Sequence, residues 1–192
     1  KKEGETVDLK YATKIDDDAF SGCMATKIIN SGSVTSCAEY AFRNSAIGDL
    51  KPEPAGAVIA GSIIVNIDET AENICFPDKR VSLTAMRDGI NFDNVKSITA
   101  NRAQTVINLR YKLPVDVKII LKDKSYITDE QLSGWSPFPI LELTEENPYY
   151  STKDGCLLSK DGLVLVKYPS AISGTVHIPD GIETITSHAF IL

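Results

Sequence analysis

Ile-Asp-Asp-Asp-Ala-Phe-Ser-Gly-Cys at residues 15–23 and Cys-Ala-Glu-Tyr-Ala-Phe-Arg-Asn-Ser at residues 37–45 place the pair Ala-Phe twice, at Ala19-Phe20 and Ala41-Phe42. The two copies are 22 residues apart, and each follows Ile15 or Cys37 by four positions. A third copy, Ala189-Phe190, follows Ile185 by the same interval. Self-similarity at a fixed period marks a chain built from stacked coils, each burying its apolar side against the next. Stepping on from Phe42 by the same interval reaches Ile64, then Ala85-Met86, then the Val-Ile-Asn-Leu stretch around Asn108, and, after a longer step, Leu132.

A period in the low twenties predicts a leucine-rich-repeat solenoid, rich in β-strand, with short helical or irregular turns on the convex side. Candidate strands follow the anchors at 24–29, 46–51, 95–99, 117–121 and 141–143, and Val95 and Val117 again differ by 22. Turn residues close the coils at 29–34, 76–81, 121–127 and 178–182, where Gly, Pro, Asp and Asn supply the backbone angles a corner needs. The Leu132-to-Phe190 interval is too long for one coil. The runs Gly-Cys-Leu-Leu-Ser and Leu-Val-Leu-Val-Lys-Tyr around Lys160-Asp161-Gly162 predict a β-hairpin inserted within about 147–172. The apolar run at 57–65 is a buried strand or turn. The chain is therefore expected to be one repeat domain over 1–192, clear at 10–52 and 117–192 and degenerate at 53–116. A small separate β domain at about 55–115 is the alternative.

Composition bounds the function. Hydrophobic residues make up 43% and charged residues 24%, enough apolar surface for a packed core. The net charge of −6 and the absence of a basic stripe argue against nucleic acid as a partner. No apolar run approaches the roughly 20 residues of a membrane span.

Four stretches resemble the BspA-like leucine-rich repeats of bacterial surface proteins. They are Ile-Pro-Asp-Gly-Ile-x-x-Ile-x-x-x-Ala-Phe at 178–190, Ala-Phe-Ser-Gly-Cys at 19–23, Ser-Val-Thr-Ser-Cys-Ala-Glu-Tyr-Ala-Phe at 33–42, and Asn-Pro-Tyr-Tyr-Ser-Thr-Lys-Asp-Gly-Cys-Leu-Leu-Ser-Lys-Asp-Gly at 147–162. Together they cover roughly half of the chain, at its two ends, and Ala85-Met86 and Leu132 depart from the pattern. The resemblance implies that each Ala lies at a tight bend and each Phe fills the interior. It also implies an extracellular or cell-surface role in adhesion and protein binding, with extracellular proteins or glycoproteins as partners and no catalytic residues or cofactor.

Candidate sites are few. Cys23, Cys37, Cys75 and Cys156 are an even number, which admits two disulfides in a secreted protein, but the places of Cys23, Cys37 and Cys156 in the repeat favour small buried hydrophobes, and no Cys-x-x-Cys pair suggests zinc. Asp16-Asp17-Asp18 lacks the calcium-loop spacing and reads as a solvated loop. His177 and His188 are placed by the repeat, and no nucleophile motif supports a hydrolase. Alternation on the strands turns Lys96, Lys118 and Glu142 away from the core, where coil spacing would stack them into a ladder serving either as a binding face or as solvated surface. Trp135, with Phe138 in Gly-Trp-Ser-Pro-Phe-Pro, is a contact candidate whose alignment with Cys23 favours the interior. The leading expectation is a non-catalytic interaction module, the alternative a structural stalk or spacer, and a carbohydrate-active or hydrolytic enzyme a distant third. Because the chain stops just after a Phe190 anchor, either further coils or a cap beyond it, or an end contact that covers the apolar surface, is expected.

Overall fold

A computed structural model describes residues 4–76, 83–85, 90–172 and 174–191. Residues 77–81 of the corner expected at 76–81 and the anchor Met86 lie outside the described residues. The chain divides into two compact units, Lys1–Cys75 with Lys79–Asn94, and Phe76–Asp78 with Val95–Leu192.

In the first unit, β1 (Thr6–Asp8) pairs in parallel with β3 (Lys27–Ile29), Thr6 opposite Lys27. β2 (Lys14–Ile15) pairs in parallel with β4 (Ser36–Cys37), Lys14 opposite Ser36. Parallel neighbours one coil apart are the hallmark of stacked coils, since each strand reaches the next only after a full circuit of chain. The bends between strands are tied in the same way. Phe20 N–H donates to Ala41 O at 2.9 Å, Gly22 N–H to Asn44 O at 3.1 Å and Ala46 N–H to Cys23 O at 2.8 Å. Ile15, Ile28, Val34, Phe42 and Ile47 fill the interior between them.

The implied Ala-Phe geometry is complete in the second copy, where Ala41 and Phe42 are both sealed from solvent. In the first copy Ala19 is exposed and Phe20 half-buried, and the bend is tied to one neighbouring coil, at 40–46. The strand expected at 46–51 is instead a turn. Buried Ser45 explains the difference: its Oγ–H donates to Phe42 O at 2.7 Å while its Oγ accepts the Gly48 N–H at 3.1 Å. That side chain competes for backbone groups a strand would use. Ile47 remains buried, so the apolar position is correct although its conformation is not.

The run at 57–65 forms an antiparallel hairpin, β5 (Ala57–Ala60) with β6 (Ile63–Ile67), turned at Gly61-Ser62. Gly61 has φ +63°, and a Cβ there would meet Ser31 Oγ at 1.9 Å, so both the turn and its packing on the corner at 31–33 require glycine. Every β6 residue is buried. Ile64, expected as a coil anchor, is therefore a strand residue; Ala85 N–H donates to its carbonyl at 2.9 Å from the end of β8 (Leu83–Thr84). The remaining strand, β7 (Asn73–Cys75), is tied to the loop before β5 by Cys75 N–H donating to Ala55 O at 2.9 Å.

In the second unit, β9 (Ser97–Ala100), β10 (Lys118–Leu121) and β11 (Ile140–Leu143) run parallel, with Lys118 opposite both Ser97 and Ile140. Offsets of 21 and 22 residues follow from that register. Helix α1 (Ala103–Leu109) joins the first pair and α2 (Asp129–Gly134) the second, so the expected helical turns are present and hold the anchors near Asn108 and at Leu132. α2 starts at a capping box: Thr128 Oγ1 accepts from Gln131 N–H while Gln131 Oε1 accepts from Thr128 N–H. Ile98, Ile119, Leu121 and Leu141 alternate inward from the strands and are almost fully buried.

The expected hairpin is present as β13 (Cys156–Ser159) and β14 (Val164–Lys167), antiparallel. A further strand, β12 (Tyr150–Lys153), pairs with β13 through a turn at Asp154-Gly155, both with positive φ. β14 then pairs in parallel with β15 (Thr184–Ile185), which returns the chain to a coil. Both units are thus β-rich and contain solenoid-type parallel coils.

Candidate functional site

The outward ladder expected from coil spacing is only partly formed. Val95 and Val117, both buried, are 22 residues apart, but Ile98 and Ile119 stand opposite each other at 21. Two residues, Lys96 and Ser97, therefore separate Val95 from Ile98, whereas Lys118 alone separates Val117 from Ile119. The extra residue takes Lys96 out of rank: it precedes β9, is exposed, and its carbonyl accepts the Lys118 N–H at 2.8 Å. Glu142 stands opposite Ile120, two positions on from Lys118. Lys118 and Glu142 nevertheless meet diagonally as an exposed ion pair, 2.5 Å between nitrogen and oxygen. Such a pair contributes roughly 0–1 kcal/mol.

Lys118 and Glu142 line a shallow groove of about 290 Å³ whose other wall is the β12–β13 turn, with Thr152, Lys153 and Asp154. The turn is seated tightly. Thr152 Oγ1 accepts the Leu143 N–H at 3.1 Å, and Gly155, at φ +79°, packs so close to Ile140 that a Cβ would meet its side chain at 2.9 Å. Trp135, the other candidate contact residue, is 1% exposed and packs edge-to-face on fully buried Phe138, ring centroids 5.2 Å apart. It belongs to the core, as its apolar surface would demand, and is not a surface contact.

An exposed aromatic group that sequence reasoning missed lies at the corner following β10 and β11. Tyr126 and Tyr149 are 51% and 49% exposed and meet edge-to-face with centroids 5.5 Å apart, while Tyr126 also stacks on buried Tyr150. The support beneath them is rigid. Tyr150 O–H donates to Ile127 O at 2.9 Å, and burial holds its hydroxyl well above the usual tyrosine range. Fully buried Asn147 donates to Asp123 O at 2.8 Å and accepts the N–H groups of Tyr149 and Tyr150, each at 2.9 Å. Lys124 and Glu146 form an ion pair between the same two loops, and Lys124 holds the Glu146 carboxyl below the usual carboxylate range. The signal was in the sequence as Tyr149-Tyr150, but pairing with Tyr126 needed the coil register.

The remaining candidates serve local structure. Asp16 pairs with Lys14 at 2.7 Å, and Asp17 accepts the Tyr40 N–H at 3.3 Å. No three metal-ligating side chains converge among the described residues. The four cysteines are thiols: Cys156 is buried, Cys23 and Cys37 are half-buried, and Cys75 is exposed. His177 and His188 are both exposed. Among the described residues no helix is long and apolar enough to cross a membrane. No family model, curated protein or solved structure matches this chain.

Proposed function

We propose that this chain is a non-catalytic interaction module of a secreted or cell-surface bacterial protein, built from BspA-like leucine-rich repeats, that binds an extracellular protein or glycoprotein. The observation carrying this reading is the Tyr126–Tyr149 pair, about half exposed and held from below by Tyr150 and Asn147. Aromatic side chains that are rigid before binding lose little conformational entropy on contact and are enriched among residues that dominate binding energy. A spacer has no use for such a pair. The Lys118–Glu142 groove offers a polar neighbour of the same unit, suited to orienting a partner more than to holding it.

The test is a binding screen of the intact chain against immobilised extracellular-matrix proteins and mucins, repeated with Tyr126→Ser/Tyr149→Ser and with Lys96→Glu/Lys118→Glu. Loss of a hit by at least roughly tenfold in the tyrosine variant, with an unchanged melting temperature, supports the reading. Loss confined to the lysine variant moves the site to the groove. No hit on either class of probe favours the spacer.

A further inference from the structure

Residues 6–20 and 176–190 are two copies of one coil, related without a gap by a constant shift of 170 positions. Lys14-Ile15 of β2 match Thr184-Ile185 of β15, and Ala19-Phe20 match Ala189-Phe190. Each coil is tied to a neighbour on one side only, and the two sides are opposite. The coil at 6–20 reaches forward through Phe20, whose N–H donates to Ala41 O and whose ring stacks on Phe42. The coil at 176–190 is reached from behind, where Tyr168 N–H donates to Ala189 O at 2.8 Å and the Tyr168 and Phe190 rings meet with centroids 5.1 Å apart. The strands repeat the asymmetry: β2 pairs only with β4, and β15 ends its sheet against β14.

Burial follows the missing neighbours. Ile15 is 4% exposed under the coil that follows it, whereas Ile185 at the same place in the repeat is 47% exposed. Ala189 is sealed and Ala19 open, while Phe190 is 44% exposed. Among the described residues no hydrogen bond reaches the Ala19 carbonyl, and the Phe190 N–H makes none. One coil therefore lacks a donor and a ring on its Ala19 side, and the other presents both on its Phe190 side. Val176, Ile178 and Ile191 add to the exposed apolar surface of the coil at 176–190. Open apolar coil faces beside unpaired strand edges are templates for association.

We infer that the coil at 176–190 docks on the coil at 6–20 of a second copy of this chain, so that the stack continues from copy to copy. β15 adds in parallel to β2 of the other copy, with Thr184 opposite Lys14 and Ile185 opposite Ile15. Phe190 N–H donates to Ala19 O, and the Phe190 ring covers the face of Phe20 that Phe42 leaves open. The charges choose this occupant: the same register sets Asp180 against Lys10 and His188 against Asp18, places Glu183 one position from Lys14, and puts no like charges opposite each other from 6–20 to 176–190. The contact joins two different patches, so it is heterologous and every copy carries one of each. It shares no residue with the Tyr126–Tyr149 surface, so the two readings fail separately.

The experiment is sedimentation velocity of the intact chain from about 1 to about 300 µM, where the sedimentation coefficient is expected to rise with concentration. Ile185→Glu blocks one patch and Ala19→Arg the other, both at exposed positions, and each is expected to weaken self-association at least roughly tenfold with an unchanged melting temperature. Mixed in equal amounts, the two variants keep one intact patch of each kind between them and are expected to form a dimer that grows no further. A chain that stays monomeric throughout assigns the open coil to some other occupant and overturns the inference. Undiminished association in either variant overturns it as well, because a symmetric contact uses only one patch, and so does a mixture that stays monomeric. If either variant does not fold, Lys10→Glu and Asp180→Lys decide: each alone is expected to weaken association, and the chain carrying both to recover it. No recovery would remove the register on which the contact rests.

Discussion

Phe20 and Phe42, one coil apart in the chain, stack with ring centroids 5.1 Å apart and planes only 7° from parallel. The contact joins successive bends already linked by the Phe20 N–H to Ala41 O hydrogen bond. Phe42 is 1% exposed, so Phe42→Ala should destabilise the first unit by about 3–5 kcal/mol through lost burial and the cavity left behind. Phe20→Ala should cost less, since its ring is only partly covered. In a double-mutant cycle followed by denaturant unfolding, the pair should show a coupling of about 0.5–1.5 kcal/mol. Strict additivity would mean that the stacked rings contribute area alone.

Asp161, in the β13–β14 turn, accepts the Ser159 O–H at 2.5 Å and the Leu163 N–H at 3.1 Å. The Ser159 hydroxyl first, then the Leu163 amide, hold its carboxyl below the ordinary 3.8. A carboxyl depressed in the folded state contributes stability that is fully present above its unfolded value and is lost as pH falls through the folded one. The melting-temperature gap between the natural chain and Asp161→Asn should therefore be open at about pH 7 and close below about pH 4. A gap that stays constant down to acid would show that the carboxylate charge plays no part in the turn.

The thiols should differ sharply in reactivity. Burial, aided by Asp17, pushes the Cys37 thiol up to about 12, and burial, aided by Asp154, pushes Cys156 up to about 11. At about pH 8 only about one Cys37 in ten thousand is then a thiolate, the nucleophilic form. In a timed iodoacetamide reaction read by peptide mass spectrometry, exposed Cys75 should be labelled first, and Cys37 and Cys156 only when denaturant is added. Labelling of native Cys156 as fast as Cys75 would contradict the packing of β13.

Much of the coil architecture was legible because a coil repeats one set of demands. Ala-Phe at 19–20 and 41–42, and Val95 and Val117, recur at the interval one circuit of chain requires, and the structure places each pair on neighbouring coils. The hairpin about Lys160-Asp161-Gly162 was legible for a local reason: turn residues between two apolar runs specify it without reference to the rest of the chain. The binding surface was not. Period alone put Lys96, Lys118 and Glu142 in one ladder, but one additional residue before Ile98 displaces Lys96, which only the register reveals.

The sequence by itself determined the repeat, the hairpin, the acidic balance and the apolar positions, all of which rest on local chemistry or fixed spacing. Tertiary structure alone decided the rest. It brought Tyr126 beside Tyr149 across two loops and took Lys96 out of rank with Lys118. Those relations join residues about twenty or more positions apart, and the contacts depend on a register that a slip of one residue would reverse, because successive strand side chains face opposite sides.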